Sequence, residues 1–195
     1  MGRIIVSEFI SVDGVVEDPG GAEGYKHGGW TFKFNRGSDG DKFKMDEVMG
    51  SEALLLGRVT YEGFAAAWPS RIGDPFSDKF NSMPKYVVSS TLKKADWNNS
   101  TILKGDVVKE VSKLRQGLGG NIMVNGSAQL VQTLIANDLV DELHLMVFPV
   151  MLGSGKRLFG DTADMKVMQL SESKTVGDGV AILVYKAAAK AATKG

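Results

Sequence analysis

Short, unbroken apolar runs, set apart by segments whose apolar residues recur at helical spacing, constrain the fold of this chain more than any other feature. Five such runs occupy residues 4–10, 53–56, 86–89, 122–124 and 143–150, each bounded by Gly, Pro or polar residues. A strand with one wet face alternates apolar and polar side chains, so an unbroken run predicts a strand covered on both faces. Between the runs, three sets of residues fall on helical faces: Met45, Val48 and Met49; Val107, Val108, Val111 and Leu114; and Leu130, Val131, Leu134 and Ile135. Gly117 and Asn137 close the second and third sets. Strand–helix–strand alternation predicts an α/β sheet with parallel pairs. The last third changes character. Runs at 143–150, 166–170 and 179–185 follow one another without a helix, and Gly177-Asp178-Gly179 fits a hairpin turn. A mixed, mostly parallel sheet with an antiparallel C-terminal hairpin is expected.

At 195 residues the chain suits one domain, expected over 1–186, with an Ala/Lys-rich tail at 187–195 expected to be flexible. Residues 18–40 read as a long glycine-rich loop that carries Tyr25, Trp30, Phe32 and Phe34. A loop of that length inside a compact domain is usually functional or disordered, and the aromatics favour function. Composition closes several routes. No cysteine is present, which removes disulfides, thiolate nucleophiles and Cys-ligated zinc or iron–sulfur. Lys+Arg and Asp+Glu balance at 23 each, so no long-range field draws nucleic acid or an anionic membrane, and neither is expected as a partner. No run approaches a membrane span, and a cytoplasmic protein is expected. The two histidines, His27 and His144, lack metal-ligand spacing; no metal is expected, and His144, inside a strand, reads as structural. Gly153-Ser154-Gly155-Lys156 fails as a phosphate loop because Val150 and Arg157 stand where Gly and Ser or Thr are needed. It fails as a Rossmann fingerprint because Leu158 replaces the third glycine.

Three strand ends carry groups suited to an anionic ligand. In Leu54-Leu55-Leu56-Gly57-Arg58-Val59-Thr60-Tyr61-Glu62 a strand runs into a helix start with Gly, Arg and Thr. Helix-start N–H groups bind anions, glycine permits close approach, and Arg can grip phosphate through two bonds. In Val124-Asn125-Gly126-Ser127-Ala128 another strand ends in small polar residues before a helix. Ser89 and Ser90 end a third strand, with Lys93 and Lys94 close behind. Taken singly, each pattern also describes an ordinary connection or a solvated loop.

Taken in order, these segments resemble the dihydrofolate-reductase-like superfamily. They join Ser11-Val12-Asp13-Gly14 after the first strand, and Asp141-Glu142-Leu143-His144-Leu145 with Pro149, Gly153 and Gly155 near the end. Within the superfamily the chain is similar to the riboflavin-pathway reductase group, the RibD C-terminal domain, including its stand-alone members, over about residues 2–186. The resemblance implies a three-layer dihydrofolate-reductase-like fold and an NADPH-dependent oxidoreductase. It assigns Gly57, Arg58, Thr60 and Tyr61 to the cofactor phosphates from one side, and Asn125, Gly126, Ser127 and Ala128 from the other. Ser89 and Ser90 fall to the adenosine half, Val12 and Asp13 with Ser11 and Gly14 to the nicotinamide, and Arg58 or Lys93 to the 2′-phosphate. The implied step is reduction of 5-amino-6-(5-phosphoribosylamino)uracil. Reduction of a pterin or another small imine or carbonyl stays open, as does a non-catalytic nucleotide-binding dimeric module. On the substrate side Asp41 takes the place of the family's helix carboxylate, with Asp46 as competitor. Trp30 is either a lid stacking on the small heterocyclic substrate or an anchor of its own loop. A homodimer is expected. The zinc deaminase domain of the bifunctional enzyme, with its cysteine ligands, is not in this sequence.

Overall fold

The computed structural model describes residues 1–188. Eight strands form one sheet: β1 (Arg3–Ser11), β2 (Ser51–Gly57), β3 (Lys85–Val88), β4 (Ser100–Leu103), β5 (Asn121–Val124), β6 (Glu142–Phe148), β7 (Met168–Val176) and β8 (Val180–Ala187). Their spatial order is β4-β3-β2-β5-β1-β6-β8-β7. The pairs from β4 to β6 are parallel, and β8 joins both β6 and β7 antiparallel. Five helices accompany the sheet: α1 (Gly37–Met49), α2 (Arg58–Ala67), α3 (Pro75–Ser82), α4 (Val107–Gly117) and α5 (Ala128–Ala136). The parallel body and antiparallel end are those expected from the sequence.

Side-chain alternation divides the core by faces. Leu55, Ile122, Val124, Ile4, Val6 and Ile10 pack with Val111 of α4 and with Leu130, Val131 and Leu134 of α5. On the opposite face Leu54, Leu56, Val87 and Met123 pack with Val48 of α1, Tyr61 of α2 and Phe80 of α3. Leu54, Leu55 and Leu56 are all fully buried, which explains their unbroken apolar run. Each such side chain contributes about 1.5–3 kcal/mol. A third cluster joins Trp30 and Phe148 to Val176, Val180, Ile182 and Val184 under the hairpin.

Several expectations need correction. Strand β4 and helix α3 lacked a periodic signal strong enough to read. β4 has only four residues, none of them fully buried. Helix α3 is set by local chemistry: Asp74 accepts from the Ser77 N–H at 3.0 Å and Pro75 opens the first turn. The strand read at 166–170 starts at Met168 and continues to Val176. The loop read at 18–40 ends earlier, in a single 3-10 turn at Trp30–Lys33, and α1 begins at Gly37. The tail read as starting at 187 loses its first residue to β8, and residues 189–195 lie outside the described residues. Among the described residues, no helix is long and apolar enough to cross a membrane, and no group of three or more His, Cys, Asp or Glu side chains could hold a metal ion.

Candidate functional site

Parallel strands deliver their following connections to one edge of the sheet, where ligands of α/β proteins collect. The β2–α2 and β5–α5 connections meet at that edge and are bonded to each other. The Gly57 N–H donates to Ser127 Oγ at 2.9 Å, and the Ser127 N–H donates to Thr60 Oγ1 at 2.9 Å. Neither α2 nor α5 has a side-chain cap, so their first-turn N–H groups have no intrahelical acceptor. Two positive helix ends thereby open side by side. Gly126 lies at φ +57°, and a Cβ there would stand 3.0 Å from the Thr60 side chain, so the turns meet this closely only with glycine between them. Uncapped helix starts, hydroxyls and a close-approach glycine suit a ligand bearing several negative charges.

Arg58 stands at the mouth of α2, half exposed, and pairs with Glu62 at 2.8 Å. To grip a phosphate it exchanges that partner. Tyr61, expected beside the phosphates, turns its side chain into the core, where its hydroxyl accepts from the Trp97 N–H at 3.0 Å. Ser89 Oγ is bound into its own turn, accepting from the Thr91 and Leu92 N–H groups, while Ser90 is exposed. Lys93 is exposed on the same connection.

The end of β1 is held by Asp13. Its carboxylate accepts from Ser11 Oγ at 2.7 Å and from the Leu152 and Gly153 N–H groups at 3.1 and 2.8 Å. The hydrogen bond from Ser11, reinforced by those from Leu152 and Gly153, lowers its pKa to about 2. Asp13 thus fastens the β1 turn to the Gly153–Lys156 loop. Tyr25 donates to the Ser154 carbonyl at 2.5 Å and Lys156 pairs with Glu17 at 3.3 Å. This loop is therefore engaged with its own chain, and Val12 stands out beside it, 60% exposed.

On the substrate side the geometry separates the two residues singled out from sequence. Trp30 has no exposed surface; its indole N–H donates to the Glu17 carbonyl at 2.8 Å and its ring meets Phe148 edge-on at 5.4 Å. A ring in that position anchors the loop, the second of the two roles open to it. The Asp41 side chain is 65% exposed and pairs with Arg36 at 2.6 Å, and Asp46 pairs with Lys42 at 2.5 Å. Both are exposed on α1 and engaged with a neighbouring cation.

A buried ionic chain escaped the sequence reading. Glu47 Oε2 lies 2.6 Å from Lys44 Nζ and accepts from Ser7 Oγ at 2.9 Å, while Glu47 Oε1 meets His144 Nδ1 at 2.8 Å. His144 Nε2 meets Glu142 Oε2 at 3.0 Å, and Glu142 Oε1 meets Arg3 at 3.0 Å. Burial opposes protonation of His144, but its hydrogen bonds to Glu47 and Glu142 outweigh burial and raise its pKa. Burial likewise opposes ionisation of Glu47, yet Lys44 and His144 hold its pKa low. Glu8, on the other face of β1, has its pKa raised by complete burial. Glu8 Oε1 and Asn125 Oδ1 are buried without a partner, and the Asn125 amide donates to the Ser7 carbonyl at 2.8 Å. The available signal was the interruption of apolar runs by Ser7, Glu8 and His144.

Comparison with known proteins bears on the family and the fold. The family model for the RibD C-terminal domain matches residues 3–182. The uncharacterized protein YyaP of Bacillus subtilis (strain 168) is 30% identical over 188 residues, covering 94% of each chain. The uncharacterized protein YwjB of the same organism is 27% identical over 178 residues, covering 91% of this chain and 94% of YwjB. A crystal structure named "Putative riboflavin biosynthesis protein" from Shewanella sp. PV-4 superposes with a TM-score of 0.74 at 23% identity, over 97% of this chain and all of that one. A pyrimidine reductase-like protein of Corynebacterium diphtheriae superposes with a TM-score of 0.62 at 12% identity, over 96% and 92%. At those identities the two structures bear on the fold.

Proposed function

Because the chain belongs to the RibD C-terminal domain family, we propose that it is an NADPH-dependent reductase of a small heterocyclic substrate. The reading rests on one observation: the β2–α2 and β5–α5 turns are bonded into a single cradle through Gly57, Thr60 and Ser127. Thr60, Gly126, Ser127 and Ala128 would line the dinucleotide's phosphates, with Arg58 leaving Glu62 for the 2′-phosphate. Ser90 and Lys93 would flank the adenosine half, and Val12 would border the nicotinamide. The reduced nicotinamide supplies the two electrons and the hydrogen for carbon; the protein supplies alignment and exclusion of water. The substrate proposed is the ribosylamino carbon of 5-amino-6-(5-phosphoribosylamino)uracil. The names of the riboflavin biosynthesis and pyrimidine reductase-like structures support that choice.

A fluorescence titration tests the cofactor. NADPH is expected to saturate the protein below about 1 mM. Arg58→Ala is expected to weaken NADPH about tenfold and NADH little, since the lost contact is one charge-assisted bond. Equal losses for both cofactors would remove Arg58 from the 2′-phosphate, and no NADPH binding would remove the reading. A homodimer belongs to the same proposal. Its support is the nine-residue edge strand β7, whose outer side has no strand partner among the described residues. Light scattering at micromolar concentration tests it.

A further inference from the structure

Reduction of a carbon–heteroatom double bond needs a proton as well as a hydride. Beside the cradle at Gly57 and Gly126, Asp13 is committed to Ser11, Leu152 and Gly153, and Glu8 is completely buried against the Gly126 backbone with no hydrogen-bonded chain to solvent behind it among the described residues. Across β1 lies a group that can give the proton. Lys44 reaches from α1 to Ser7 Oγ at 2.6 Å and holds its ammonium 5.2 Å from the centre of the Phe9 ring. Phe9 is half-buried and two residues from Ser11, where β1 ends at the cofactor edge. Behind Lys44 the chain through Glu47, His144 and Glu142 is continuous, each link between 2.6 and 3.0 Å. Each carboxylate uses one oxygen toward Lys44 and the other toward solvent, and His144 uses one nitrogen each way. The chain borders a cleft of about 330 Å³ at the opposite edge of the sheet, lined by Arg3, Asp46, Glu47, Glu142, His144 and Glu172. An ordinary structural ion pair needs no such two-ended arrangement. A chain passing protons between solvent and a buried amine does.

The geometry points to Lys44 as the proton donor of the reduction, refilled from the amino-edge cleft through Glu142, His144 and Glu47. This rests on the reductase reading above. The step balances as follows. A reduced nicotinamide gives a hydride to the substrate carbon and is oxidised. The carbon–heteroatom π bond breaks, and its electrons take a proton from the Lys44 ammonium. The neutral amine regains its proton from the His144 imidazolium, which gives it up at Nδ1 to the Glu47 carboxylate for delivery to Lys44. His144 is then refilled at Nε2 from solvent by way of the Glu142 carboxylate. Glu47 on α1 faces Lys44 and Ser7 on β1 bonds it, while Glu8 feels its charge from the other face of β1; Arg36 lies over the same Phe9 ring at 5.5 Å. Those facing His144 are Glu47 and Glu142, with Arg3, Asp46 and Glu172 around the cleft.

The test needs no substrate, because NADPH and NADP⁺ differ by one positive charge on the nicotinamide, beside which Lys44 is proposed to act. With only two histidines in the chain, the His144 ring signals are separable by NMR. In the NADP⁺ complex the His144 titration midpoint is expected at least about half a pH unit below that in the NADPH complex, because the added charge expels a proton from the chain. Lys44→Arg keeps the charge but cannot release a proton. It is expected to bind NADPH within about threefold of the native protein, while the difference between the complexes disappears. Lys44→Met gives the same comparison with the charge removed. Identical His144 midpoints in the two native complexes, or a difference that survives in both variants, would overturn the relay. Failure of the native protein to bind either nucleotide would instead overturn the reductase reading.

Discussion

Replacing Ser127 by Ala removes the hydroxyl that accepts from the Gly57 N–H at 2.9 Å and leaves the Ser127 N–H bonded to Thr60. Gly57 is half-buried, so its N–H loses its partner with incomplete access to water, at a cost of about 1–3 kcal/mol. Ser127 also sits at φ 60°, ψ 41°, a left-handed conformation that costs a residue with a side chain about 1–2 kcal/mol. Alanine keeps that strain. Glycine relieves it but returns about 0.5–1 kcal/mol through the greater freedom of the unfolded chain. Ser127→Gly is therefore expected to be as stable as Ser127→Ala or up to about 1.5 kcal/mol more stable, although both lose the same bond. At about 2–4 °C per kcal/mol for a chain of this size, Ser127→Ala lowers the melting midpoint by roughly 2–12 °C. Differential scanning calorimetry reads the stabilities, and NADPH fluorescence is expected to show an affinity loss of about tenfold in both variants. A Ser127→Ala midpoint within about 1 °C of the native one, or Ser127→Gly melting below Ser127→Ala, would refute the account of how the turns are held together.

Trp30→Ala is expected to cost about 3–5 kcal/mol of stability by urea denaturation, because the ring is fully buried against Phe148. A fully stable variant with slowed turnover would restore the lid role. Lys85 is buried at the foot of β3, with its amine on the Asn81, Met83 and Asn98 carbonyls, and burial lowers its pKa to about 8. Between that value and the ordinary 10.5 the unfolded chain binds more protons than the folded one, so stability should rise with pH across this window. Urea midpoints should show the rise in the native protein and not in Lys85→Met; parallel curves would contradict it. Asp13 gives a pH dependence of the same sign in acid. Its pKa, lowered from 3.8 to about 2, gives stability that is complete above 3.8 and lost as pH falls toward 2. Acid unfolding followed by circular dichroism should therefore be shallower across that range in Asp13→Asn, and an unchanged slope would argue against the lock on Leu152 and Gly153.

Most of the fold was legible because two-sided burial writes itself into composition. Leu54-Leu55-Leu56 alternates between two hydrophobic layers, so every position must be apolar. Strand β4 was illegible for the converse reason: at the sheet's edge it has no fully buried residue to mark it. The cradle was legible as two separate glycine-bearing helix starts, since backbone geometry restricts the residue types allowed there. Their direct bonding through Thr60 and Ser127 was not, because 67 residues separate the partners. The chain from Lys44 to Glu142 was harder still. Its members lie on α1, β1 and β6, and a buried charge shows in sequence only as a polar residue in the wrong place. Tyr61 and Trp30 both turn their rings into the core: an aromatic side chain beside a ligand-binding segment serves as readily to pin that segment to the core as to meet a ligand.

The bonds between the β2–α2 and β5–α5 connections also set where this chain can change length. Gly57 and Thr60 meet Ser127 only while both connections keep their present residue count, and one inserted residue in either would turn the following helix start away from its neighbour. Insertions and deletions among related chains should therefore be absent from 57–60 and 125–128. They should collect in segments such as 69–74 and 159–167, which are exposed along most of their length and carry no strand pairing.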